Sequence, residues 1–318
     1  MKSPLRNRNK IFGLVLLGLF IIGMIGMMAT TGWEDTRQYL ARVGWVQFGI
    51  LLALSLVNYF ARGLRWRIYT RALNIPTGFL QDSRHYLGGF ALTITPGRVG
   101  ELIRLRWINR ETGTPLEQTA PLVLVDRAAD LVSVALVLAL ATALTTGGLA
   151  GAVPVVVIAL GVAMVATQPK LLAWSITRGW KIFGRFPKLF GGLRRAARQL
   201  YVFAKAHIIL PALLLGAVGW FAEGYAFYLL LGWLGADISL WMAVAIFLFA
   251  MLGGGATGLP GGLGGAEVAL VGLLTLQGVP LEISLPATAI IRLTTLWFAI
   301  LIGIGVFPFN ERFAKRAQ

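Results

Sequence analysis

Part of this chain is written twice, about 165 residues apart, and that self-similarity restricts it to folds built from two copies of one unit. The first copy reads Gly113-Thr-Pro-Leu-Glu117, then Pro121, Arg127 and Leu131; the second reads Gly278-Val-Pro-Leu-Glu282, then Pro286, Arg292 and Leu296. Seven of 19 positions are identical at one offset, without a gap. Upstream, Gly89, Thr93, Pro96, Gly97 and Gly100 match Gly253, Thr257, Pro260, Gly261 and Gly264 at an offset of 164. A glutamate follows the glycines in both copies, Glu101 and Glu267, although the second copy needs two extra residues to reach it. Fixed-offset repetition inside apolar segments is a mark of transporters built from internal repeats.

Composition settles the solvent. With 57% hydrophobic and 13% charged residues over 318 positions, and a mean hydropathy of +0.75, the chain cannot clothe a water-soluble globule. It reads as an integral membrane protein. Cysteine is absent, so disulfides, thiolate metal sites and cysteine nucleophiles are excluded. The two histidines, His85 and His207, stand apart from each other and from acidic clusters at ligand spacing, and neither a metal nor any other cofactor is expected. The net charge of +16 lies mainly in loops beside apolar spans, which points to orientation by the positive-inside rule and not to nucleic acid. No phosphate-binding loop of the Gly-x4-Gly-Lys type, no Gly-x-Ser-x-Gly elbow and no His-Glu-x-x-His pair occurs. The chain is therefore not expected to be an enzyme.

Apolar runs predict six full spans: residues 11–29, 43–61, 115–144, 150–167, 207–234 and 283–307. The first follows Lys2, Arg6, Arg8 and Lys10 and is too long, without a cleavage site, for a signal peptide. The second ends at Arg62, Arg65, Arg67 and Arg71 with Trp66 and Tyr69 interleaved, a composition expected at the membrane interface. Two segments, 79–110 and 239–277, are broken by glycine and proline into arms too short to cross about 30 Å of hydrocarbon. The first breaks at Thr93–Gly97, the second at Gly253-Gly254-Gly255 and again at Pro260-Gly261-Gly262. Both are read as re-entrant helical hairpins, although small residues also serve close helix packing.

The expected fold is all-α, a polytopic membrane protein of six spans plus two re-entrant hairpins in an inverted repeat. Residues 1–167 hold spans 1–4 and the first hairpin, and residues 206–318 hold spans 5 and 6 and the second. Between them, residues 168–205 carry nine Lys or Arg and no acid, a basic cytoplasmic linker. Six crossings leave both basic termini in the cytoplasm. Three spans and one hairpin per topological unit invert the second unit relative to the first, so the hairpins open on opposite faces.

On this topology Arg127 lies about 18 Å along its helix, near mid-membrane, and Arg292 approaches the same depth from the other side. A guanidinium there costs about 2.5–3.5 kcal/mol on insertion scales, so it faces a partner or a wet cavity. Internal pairing would join Arg127 to Asp126, Asp130 or Glu101, and Arg292 to Glu267 or Glu223. Alternatively the two forks bind an anion such as a phosphate, aided by free amides at hairpin tips Pro96, Gly97, Gly100, Pro260, Gly261 and Gly264. Both readings can hold together. Glu223, 165 residues after Asn58, is a candidate proton or charge partner.

Pro96-Gly-Arg-Val-Gly-Glu101, the Asp126-Arg127-x-x-Asp130 group, and Pro260-Gly-Gly-Leu-Gly-Gly-Ala-Glu267 followed by Arg292 resemble the membrane region of lysylphosphatidylglycerol synthases, which also exists as free-standing flippase-like proteins. The likeness covers nearly the whole chain, and its motifs include Arg98. Asp126 departs from the glutamate common at that position. In bifunctional relatives this region is associated with moving an aminoacylated lipid that a separate soluble domain makes. No segment of this sequence reads as that domain, so the resemblance implies transport and not synthesis. Linked substrates include phospholipids, polyprenyl-phosphate carriers and hopanoids. The expectation is a flippase of the cell inner membrane that holds an anionic lipid headgroup on Arg127, Arg292, Arg98, Glu101, Glu267, Asp126 and Asp130. A non-transporting scaffold for a lipid-modifying enzyme, a membrane-embedded transferase and a soluble-anion transporter are the other classes.

Overall fold

The computed structural model describes residues 43–95, 99–145, 200–257 and 259–316, with a few isolated positions between 153 and 178. The first and fourth expected spans, nearly all of the basic linker, and Pro96, Gly97 and Arg98 lie outside the described residues. Those described form helices joined by short turns.

Helix α1, Trp45–Ala72, runs 28 residues and does not stop where the arginines begin. The expected interfacial cluster is thus corrected. Arg65 and Trp66 are fully buried and Arg62 is half-buried, whereas Arg71 remains exposed. Composition alone placed these cations at a membrane surface; acidic partners on one distant helix draw Arg62 and Arg65 inward instead.

The first broken segment is helix α2, Phe79–Gly88, a 3-10 turn at Gly89–Leu92, and helix α3, Val99–Thr112. Its arms meet at glycine: a Cβ on Gly100 would lie 2.1 Å from the Gly89 carbonyl oxygen, and backbone cannot yield as a side chain can. Gly100→Ala is therefore expected to destabilise the protein by about 1–3 kcal/mol through overpacking, read as a lower unfolding temperature in detergent. Helix α4, Leu116–Leu144, starts after Pro115, as the sequence implied.

The second half repeats this order. Helix α5, Ala206–Trp233, packs along α1; helix α6, Leu240–Ala256, and helix α7, Gly265–Leu276, form the second broken segment. Helix α8, Leu281–Arg292, passes through a π-helical turn, Leu293–Trp297, into helix α9, Phe298–Arg316. One expected break is absent, because α6 runs straight through Gly253-Gly254-Gly255. The run serves packing: a Cβ on Gly254 would stand 2.6 Å from the Ala266 Cβ, so the missing side chain lets α7 lie close. The true interruption falls at 257–264, where Gly261, Gly262 and Gly264 take positive φ.

Among the described residues, α1, α5 and the stretch Leu281–Lys315 are long and apolar enough to cross a membrane. Helix α4, at 29 residues, is of similar length and carries Asp126, Arg127 and Asp130 inside it. Contacts between the halves are reciprocal. Helix α1 packs on its counterpart α5, α4 packs on α6, and α9 packs on α2 and the 3-10 turn. Such exchange is what two units related by a two-fold operation would make.

A polar knot ties the base of the first hairpin to the chain's last helix. Glu111 accepts from Gln81 at 2.6 Å and Arg84 at 2.7 Å, and His85 Nε2 lies 3.2 Å away. His85, which looked isolated in the sequence, thus has a carboxylate beside it and stacks on Trp107. The Trp107 indole donates to Glu311 at 2.8 Å, and Asn310 donates to the Arg84 carbonyl.

Candidate functional site

The two repeat arginines are held alike. Glu101 is the third residue of α3 and Glu267 the third of α7, so the two-residue mismatch between copies disappears once helix starts are aligned. Both acids sit in a first helical turn, where the macrodipole favours a carboxylate. Arg127 Nε donates to Glu101 at 2.8 Å, and Arg292 Nε donates to Glu267 at 2.6 Å. Each half therefore pins its own arginine with the acid that follows its own hairpin break.

The remaining nitrogens differ. Arg127 makes a second, close contact to Glu101 through Nη2 and reaches Asp130 at 3.5 Å, and its side chain stays 32% exposed. Arg292, with 5% exposed, donates from Nη2 to the Gly261 carbonyl at 3.0 Å and approaches the Met251 sulfur at 3.6 Å. The carbonyl comes from a tip glycine in the left-handed region, so the distorted tip supplies an acceptor that regular helix would have consumed.

Both arginines open on one cavity of about 540 Å³ between the halves, within the size range typical of small-ligand sites. Among the described residues, four arginines, Arg62, Arg104, Arg127 and Arg292, share its wall with three carboxylates, Glu101, Asp130 and Glu223. Gly100 and Gly261 also line it. Asp126 and Glu267 do not; they stand behind the wall, Asp126 bonded to Arg65 at 2.7 Å and Glu267 to Arg292. Gly264 is not part of the lining either. Glu223 faces the cavity without a hydrogen bond or ion pair among the described residues. Neither Asp126 nor Glu223 is the pairing partner that adjacency or repeat logic offered.

Sequence reasoning missed Arg62, Arg65 and Arg104. Arg65 is fully buried and bridges Asp126 and Asp130, each at 2.7 Å; Asp130 also takes Arg62 at 2.6 Å. The signal was present as complementary spacing. Arg62 and Arg65 lie three apart on α1, and Asp126 and Asp130 lie four apart on α4, one face each. Arg104 lies one turn after Glu101. Its guanidinium rests 4.1 Å over the Tyr86 ring, with Trp66 at 5.4 Å and Phe90 at 5.8 Å. Its nearest carboxylate oxygen, on Asp126, is 3.9 Å away, and Nε has no hydrogen-bond partner among the described residues. Held by ring faces, Arg104 keeps donors for another anion.

The profile of the lysylphosphatidylglycerol synthase transmembrane region matches residues 11–303. The chain belongs to that family. Two curated relatives, both described as UPF0104 membrane proteins of Methanothermobacter thermautotrophicus (strain Delta H), are similar to it along almost their whole length. One is 23% identical over 324 residues, covering 93% of this chain and 95% of the relative. The other is 24% identical over 312 residues, covering 89% and 90%. Membership makes this a membrane protein of the synthase transmembrane-region family, and the arginine–glutamate pairs lie within the matched residues.

Proposed function

We propose that this protein is a lipid flippase that carries a lipid with a phosphate-bearing headgroup, a phospholipid or polyprenyl phosphate, across the inner membrane. The observation that carries the reading is the convergence of both repeat arginines, with Arg62 and Arg104, on one cavity whose wall, among the described residues, holds more guanidinium than carboxylate groups. Guanidinium forks match phosphate oxygens in geometry as well as charge. Arg127, Arg292 and Arg104 hold the headgroup, while Glu101, Glu267, Asp126 and Asp130 keep the cations in place when the site is empty. Arg98 and the hairpin tips complete the site in this reading.

The topology that serves it has six spans and two re-entrant hairpins, both termini cytoplasmic, and a two-fold axis in the membrane plane. Alternating access then follows from the two inverted halves rocking about a fixed site. Movement is downhill or coupled to an ion gradient through Glu223. No catalytic step is assigned to these residues.

The test is translocation by the full chain in sealed vesicles, comparing fluorescent phosphatidylglycerol with phosphatidylcholine. The anionic lipid is expected to move faster. Arg104→Gln is expected to slow it by roughly tenfold or more, since a charge-assisted hydrogen bond contributes about 1.5–3 kcal/mol. Equal rates for both lipids, unaltered by the substitution, would refute the assignment. Competition by inorganic phosphate at millimolar concentration, without lipid movement, would mark a soluble-anion carrier instead.

A further inference from the structure

A second concavity, about 270 Å³, lies between α1 and α2 on the outer side of the first half. Its lining is mainly apolar, Leu56, Phe60, Gly63 and Leu64 from α1 and Phe79 and Leu87 from α2, with Ser83 and Tyr86 of α2 beside them. The rim is open: Leu56 is 47%, Phe60 61% and Phe79 45% exposed. Tyr59 lines this groove and also the central cavity. Its ring packs edge-on against Phe90, 5.2 Å between centroids, and its hydroxyl donates to the Thr295 carbonyl in the π-helical turn that follows Arg292. One side chain thus lines both an exposed apolar slot and a chamber lined with arginine.

We propose that this groove holds an acyl or prenyl chain of the lipid whose headgroup occupies the central cavity, with Tyr59 as the partition between tail and headgroup. The proposal rests on the reading of the cavity given above. A tail cannot follow its headgroup into a charged, hydrated chamber, because each methylene brought into water lowers the population by roughly fourfold. An apolar slot that shares a wall with the chamber removes that barrier. The groove adds little affinity of its own, since bilayer hydrocarbon is as apolar as leucine. Its effect is on access, and the length of the tail decides how much it matters.

Gly63 makes the idea testable. A Cβ there would sit 3.9 Å from Tyr86, an ordinary contact, so Gly63→Ala leaves the groove open while Gly63→Trp fills it. Glycine is also the poorest non-proline residue inside a helix, so neither change weakens α1.

The full chain, reconstituted with phosphatidylglycerol bearing a diazirine at the acyl terminus, is irradiated and its labelled peptides are mapped. Label is expected on residues 56–64 and 79–87, to fall several-fold in Gly63→Trp because the indole occupies the slot, and to be unchanged in Gly63→Ala. Binding of water-soluble dihexanoyl phosphatidylglycerol, too short to need the slot, is expected to be equal in all three proteins. Label no denser in the groove than around exposed Leu210 and Leu214 of α5 would overturn the proposal. So would labelling indifferent to Gly63→Trp, or a groove left unlabelled because the apolar stretch 11–29 fills it. If dihexanoyl binding persists in those cases, the cavity reading stands without the groove; if the wild-type protein fails to bind it, both fall.

Discussion

Replacing Arg65 with alanine is expected to cost about 3–5 kcal/mol of stability, the usual penalty for removing one partner of a buried ion pair. The guanidinium is completely buried and is shared by Asp126 and Asp130. The two acids lose unequally. Asp130 keeps Arg62 at 2.6 Å and Arg127 at 3.5 Å, whereas Asp126 is left with Arg104 at 3.9 Å. The cost should therefore trace mainly to one orphaned carboxylate, and the double variant Arg65→Met with Asp126→Leu is expected to recover most of it. Arg65→Lys keeps the charge but not the fork and should fall between. Thermal unfolding in detergent gives the ranking; an alanine variant as stable as the parent would show that this network does not hold α1 to α4.

Arg292→Ala is expected to reduce translocation of phosphatidylglycerol by roughly 10- to 150-fold, the loss of one charge-assisted contact worth about 1.5–3 kcal/mol. The single change also strands Glu267, one of whose oxygens already lacks a partner. A damaged fold could then imitate a lost site. Pairing it with Glu267→Gln removes the stranded charge, and that double variant is expected to regain stability while transport stays low. Arg292→Lys should retain only part of the activity, because one ammonium cannot serve Glu267, the Gly261 carbonyl and a phosphate in the planar geometry of the fork. Wild-type transport by the double variant would remove Arg292 from the site.

Much of the scaffold was legible locally. The starts of α4 and α8 follow Pro115 and Pro280, and the hairpin interruptions coincide with glycines that must take positive φ or lie against another backbone. The pairing of each repeat arginine with the glutamate after its own break was among the options the residues offered. The Gly253-Gly254-Gly255 run was misleading because glycine signals either a break or a close approach, and only the presence of Ala266 opposite Gly254 distinguishes them. Arg62 and Arg65 were misplaced for a related reason. Arginine beside tryptophan at the end of an apolar run has one meaning in a window and another when two aspartates face it.

By itself the sequence determined that the chain belongs in a membrane, that it is a doubled unit with interrupted helices, and that each unit carries a cation within a long helix. These follow from apolar content, fixed offsets and backbone chemistry, all contained in short stretches. Tertiary structure alone decided that both cations open on one chamber, that Arg104 lies against ring faces with donors to spare, and that Tyr59 lines both that chamber and an apolar groove. The rotation of each helix about its axis sets which side chains meet, and that rotation is fixed by packing between segments 60 to more than 200 residues apart.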